Sequence, residues 1–181
     1  AVIVIGALAA DGKKASYSTV GSPLWVSAPG GEYGINTSYL PFATGVALEP
    51  AIMATDLSSC SKGYGSAAQT SSVGSAVYNE FNDFASPYSE NSDCNYISTF
   101  NGTSSAAPMV SGVVALMLET NPNLTWRDVK HILATTSTQV DSSFVPVSVD
   151  SITYHSWVTN GAGLQFHNYY GFGAIDANVA I

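Results

Sequence analysis

Asn101-Gly102-Thr103-Ser104-Ser105-Ala106-Ala107-Pro108 runs without a break into an apolar stretch that ends at Leu118. A Gly-Thr turn leads into a helix, and Ser104 stands at its head. Small residues follow, so other groups can approach closely. A helix N-terminus offers unpaired N–H groups and a partial positive charge. A serine there can aim its own backbone N–H at a developing oxyanion. The same residue also suits an ordinary helix cap. Residue types alone leave nucleophile and cap both open. The helix is expected over residues 104–119, apolar on almost every side and therefore buried. Pro108 is expected in its first turn, where a missing N–H is tolerated. The run from Ala106 to Leu118 is interrupted by Ser111 and is too short to span a bilayer.

Upstream, Ala1 to Ala10 is continuously apolar and predicts a strand buried on both faces, as in a parallel sheet. Asp11-Gly12-Lys13-Lys14 is a turn, and Leu24 to Ala28 is a second strand stopped by Pro29-Gly30-Gly31. Residues 32–100 are rich in Ser, Tyr, Asn and Gly and predict a long excursion of loops and short strands. Downstream, Asn121-Pro122-Asn123 ends the first helix. Thr125-Trp126-Arg127-Asp128 then reads as a capping box with Asp128 in place of Glu. The helix it opens carries Trp126, Val129, Ile132 and Leu133 on one face. Val145, Val147 and Val149 alternate as in a strand, Asn160-Gly161 marks a turn, and a last helical segment starts from Asp176.

The chain has 181 residues, enough for one domain with a real core, and a formal net charge of −8. Its cations are Lys13, Lys14, Lys62, Arg127 and Lys130, too few for a phosphate-binding surface, so nucleic acid is not an expected partner. Cys60 and Cys94 share a polar, Ser-rich setting unlike that of buried free thiols, and predict a disulfide and an oxidising compartment.

Gly102-Thr103-Ser104-Ser105-Ala106-Ala107-Pro108 ahead of an apolar helix resembles the signature around the nucleophile of the subtilisin-like serine proteases. Ala7, Ala15-Ser16-Tyr17-Ser18, Gly21 and Ala28-Pro29-Gly30 are similar to the strand and turns that precede that serine. The segments 119–128, 157–163 and 170–177 look like the kexin and furin-type proprotein convertases, whereas 36–95 is the least familiar part. The resemblance implies that Ser104 is the nucleophile and that its backbone N–H is one oxyanion donor, with Asn101, Gly102, Thr103 and Pro108 as supporting motif. In this superfamily the triad runs Asp, His, Ser, so the Asp, the His and the side-chain oxyanion donor are expected upstream of Ala1. Thr19 stands where the convertases carry an acidic residue that helps hold calcium beneath the specificity pocket, so strict dibasic processing is not expected.

Other candidates are weaker. His131 lies off the apolar face of its helix, and His155 and His167 follow the serine, so all three are expected to be structural or exposed. Glu80, Asp83, Glu90 and Asp93 offer oxygen ligands that would suit a structural calcium, or form a solvated acidic loop. Asn36, Asn101 and Asn123 fit the glycosylation pattern, but a glycan at Asn101 would block the serine, so these matches are taken as incidental.

The expected fold is α/β: part of a subtilisin-like parallel sheet with a buried nucleophile helix and a loop-rich excursion. Residues 1–181 are expected to be the carboxy-terminal half of a peptidase domain, partnered by its missing amino-terminal half and acting on protein or peptide. The parent is expected to be a secreted or periplasmic serine endopeptidase needing no cofactor for its chemistry. The rival is an inactive fragment, or a pseudoprotease used for binding. The chain alone, lacking a triad His and Asp, is expected to be inactive.

Overall fold

The computed structural model describes residues 2–34, 50–64, 81 and 89–181. The chain forms two compact units, Ala1–Gly30 with Gly102–Ile181, and Gly31–Asn101.

In the first unit, β1 (Val4–Leu8) pairs in parallel with β2 (Leu24–Pro29). Beyond β2, Ser27 donates its N–H to Gly173 and accepts from the N–H of Ile175, so the chain near Ala174 continues the ladder. The first helix, α1 (Thr103–Thr120), lies across both strands. Its buried residues Ala106, Val110, Val113 and Met117 fall at helical spacing and meet Ala7, Val26 and Ala28 of the sheet. Helix α2 (Trp126–Thr136) adds Val129 and Leu133 to the same core.

The expected elements form, with three differences. The first strand is shorter than residues 1–10, and Val2 and Val4 are 78% and 39% exposed rather than buried on both faces. Among the described residues the start of β1 pairs only with β2 and α1 covers one face, while its second edge is bridged only at its far end, by Lys14. The helix likewise buries a single face, leaving Leu116 and Leu118 exposed. Pro108 is the sixth residue of the helix and so lies beyond its first turn. Having no N–H, Pro108 gives no i−4 bond to the carbonyl of Ser104.

The capping box forms as expected: the Asp128 N–H meets Thr125 Oγ1, and Asp128 Oδ2 accepts from the Thr125 N–H at 2.8 Å. The Thr125 hydroxyl, donating to Asp128 Oδ2 at 2.7 Å, and then the Thr125 N–H hold the Asp128 carboxyl below its usual range. Two hairpins follow. β5 (Val147–Val149) pairs with β6 (Ile152–Tyr154), and β7 (Val158–Thr159) with β8 (Gln165–Phe166) across the expected Asn160-Gly161 turn. Asp176 caps the short α3 (Ala177–Ala180) by accepting from the N–H groups of Asn178 and Val179.

The second unit holds the antiparallel pair β3 (Ile52–Thr55) and β4 (Tyr96–Phe100), with a 3₁₀ turn at Ser89–Asn91. Buried Asn91 bonds the carbonyls of Phe81 and Tyr96 and accepts from the Tyr96 N–H. The expected disulfide joins Cys60 to Cys94.

Candidate active site

Ser104 sits in the opening turn of α1 and is exposed, as is Thr103. The turn that delivers it depends on Gly102, the N-cap, with φ of 105°. A side chain rarely adopts that conformation, so glycine is required. The Gly102 carbonyl accepts from the Ser105 N–H at 3.0 Å and from Ser105 Oγ at 2.7 Å. On its other side, the Gly102 N–H donates to the Tyr17 hydroxyl at 2.8 Å. Being N-terminal in the helix, the Ser104 N–H has no intrahelical partner, and it makes no backbone bond among the described residues.

A second turn packs against the first. Gly30 follows the Ala28-Pro29 pair, and its carbonyl accepts from Tyr17 Oη at 2.8 Å and lies 3.0 Å from Ser105 Oγ, whose single proton it shares with the nearer Gly102 carbonyl. A methyl group on Gly30 would come within 2.5 Å of Ala7 Cβ and 3.2 Å of the Gly102 carbonyl. Glycine here permits the close approach. Of the segments that precede Ser104, Tyr17 and Gly30 pack against the turn that carries it. Sequence reasoning placed Tyr17 and Ser105 in motifs without seeing that they link the two turns. A phenol reaching across 85 residues to Gly102 leaves no periodic trace in the sequence.

The histidines are not brought to Ser104 by any hydrogen bond among the described residues. His131 and His155 are exposed, as expected. His167 is 1% exposed and ringed by Phe144, Trp157, Tyr169 and Tyr170. Its Nδ1 accepts from the Tyr169 N–H at 3.0 Å, which leaves the proton on Nε2, a buried atom with no protein partner among the described residues. Burial lowers its pKa, with the Asp141 charge opposing more weakly. This is a neutral packing histidine. Asp141 itself accepts from Tyr170 Oη at 2.8 Å.

Of the four carboxylates considered for calcium, Glu80 and Asp83 lie outside the described residues, and so does Asn36. Glu90 and Asp93 are exposed, and Glu90 accepts from the Ser89 hydroxyl. Among the described residues no three His, Cys, Asp or Glu side chains converge on one position. No described helix is long and apolar enough to cross a membrane.

A strand pair under a helix, with an exposed serine at the helix head behind a Gly-Thr turn, is the arrangement of a subtilisin-like protein. The subtilase family model matches residues 1–173, and the chain belongs to that family. It is 36% identical to the Aeromonas extracellular serine protease of Aeromonas sobria, over 99% of this chain and 27% of that protein. It is 45% identical to neuroendocrine convertase 2 of Drosophila melanogaster over 46% of this chain and 12% of the convertase, in keeping with the convertase-like segments. The crystal structure of the Aeromonas sobria protease in complex with its chaperone superposes with a TM-score of 0.76 at 34% identity, covering 98% of this chain and 28% of that one. The chain thus spans about a quarter of the length of the Aeromonas relatives.

Proposed function

We propose that this chain is the carboxy-terminal half of the catalytic domain of a serine endopeptidase, and that Ser104 is its nucleophile. The observation that carries the reading is the exposed Ser104 at the head of α1, behind a glycine in a conformation that only glycine adopts readily. The subtilase match and the serine protease relatives support it.

In the intact enzyme Ser104 Oγ attacks the scissile carbonyl carbon and its proton passes to an upstream histidine. The carbonyl oxygen becomes an oxyanion and takes the Ser104 N–H as one donor. The histidine returns the proton to the leaving amine as the C–N bond breaks. Water, deprotonated by the same base, then releases the acyl group and regenerates the serine. The base, the aspartate that orients it and the second oxyanion donor belong to the upstream half. The chain alone is therefore inert, because a serine hydroxyl is a weak nucleophile without an adjacent base. The disulfide and the extracellular Aeromonas relative support secretion.

With Thr19 in place of an acidic residue, the enzyme has fewer fixed charges to select Arg or Lys and cleaves beyond paired basic sites. Profiling the full-length protein and its Ser104→Ala variant on a peptide library tests both statements. Cleavage that Ser104→Ala abolishes is expected, at sites not confined to paired basic residues. Turnover by the variant refutes the assignment of Ser104, and near-exclusive dibasic cleavage refutes the specificity.

A further inference from the structure

We propose that Tyr17 and Ser105 are positioning residues for Ser104, acting as one brace that fixes the nucleophile turn; this rests on Ser104 being the nucleophile. The Tyr17 hydroxyl uses both of its capacities at once. It donates to the Gly30 carbonyl and accepts from the Gly102 N–H, each at 2.8 Å. The Ser105 hydroxyl lies near the same two residues, with Oγ 3.0 Å from the Gly30 carbonyl and 2.7 Å from the Gly102 carbonyl. Ser105 is 2% exposed, so water cannot readily replace it.

The geometry ties this brace to the chemistry. Gly102 is held at its N–H by Tyr17 and at its carbonyl by Ser105, and Thr103 and Ser104 follow directly. The orientation of the peptide that carries the Ser104 N–H thus depends on the φ of Gly102, which a glycine would otherwise leave soft. Backbone bonds from the Ser105 and Ala106 N–H groups, at 3.0 and 3.4 Å, also hold the Gly102 carbonyl, but among the described residues only Tyr17 holds its N–H. An oxyanion donor is effective only when it is held in place before the charge develops. Phenylalanine at position 17 would fill the same space but strand the Gly102 N–H, leave the Gly30 carbonyl with Ser105 Oγ alone, and loosen Gly102.

The test uses the full-length enzyme. Tyr17→Phe and Ser105→Ala should each lower kcat about tenfold or more, with KM within about twofold of wild type and a matching fall in the rate of fluorophosphonate inactivation. Because both grip Gly102, the double variant should lose less than the product of the single losses. Trp157→Phe is the control. It removes a bond of the same kind, from Trp157 Nε1 to the Val140 carbonyl at 2.9 Å, and should leave kcat unchanged. If both single variants keep kcat within about twofold of wild type, the brace is refuted. It is refuted equally if Trp157→Phe loses as much. Should Tyr17→Phe fail to fold, Ser105→Ala decides the matter alone. Ser104→Ala separates the two levels. A silent Ser104→Ala beside wild-type-like Tyr17→Phe and Ser105→Ala refutes only the brace, whereas an active Ser104→Ala refutes the nucleophile and the brace together.

Discussion

Burial keeps His167 neutral, and that has a consequence for acid stability. The unfolded chain takes up a proton near the ordinary value of 6.5, while the folded chain resists because burial lowers the pKa. Below that value the unfolded state binds more protons, so stability falls as pH drops from 6.5 toward the lowered folded value. The Asp141 charge moderates the loss, and Tyr169 and Tyr170 remain neutral. His167→Asn should flatten this limb of a denaturation-versus-pH profile, and an unchanged slope would contradict it. At this scale the sequence revealed unevenly. The place of Ser104 at the head of α1 was legible because Gly102, Thr103 and Ala106 surround it in an order that few families use. The burial of His167 was not, because it depends on Phe144, Trp157 and Tyr170 arriving from separate segments.

Local chemistry decides how well each element could be read. Thr125 and Asp128 contact each other three residues apart, and the start of α2 was visible accordingly. The hairpin between β5 and β6 was not. Its turn residues Asp150 and Ser151 both have positive φ, 50° and 66°, without a glycine to announce them. The ends of β1 were missed for a different reason: hydrophobicity reports what a segment would bury, not whether a neighbour is there to cover it. The Cys60–Cys94 bridge closes a separation of 34 residues. In the chain-entropy model such a closure contributes about 3–4 kcal/mol. The Cys60→Ala, Cys94→Ala double variant should lose stability of that order in denaturant unfolding of the full-length protein. Thiol titration of the denatured, unreduced wild type should find neither cysteine free, and finding both would contradict the bridge.

Over the first unit as a whole, the apolar surface is unevenly covered. Val2, Val4, Leu116 and Leu118 are exposed on the first strand segment and on α1. Beside them Ile3, Val114, Leu118, Leu124, Trp126 and Val129 line a groove of about 300 Å³. Uncovered strand edges and apolar patches of this kind invite partners. The proposed upstream half, bringing further strands and the triad base, would supply one. The most direct measurement is fluorophosphonate labelling followed by peptide mapping, run on the full-length protein, on its Ser104→Ala variant and on the isolated 181-residue chain. The expected result is an adduct on Ser104 in the full-length protein and none in the other two. An adduct elsewhere in the full-length protein, or strong labelling of Ser104 in the isolated chain, would contradict it: the first by displacing the nucleophile, the second by requiring a base among His131, His155 and His167.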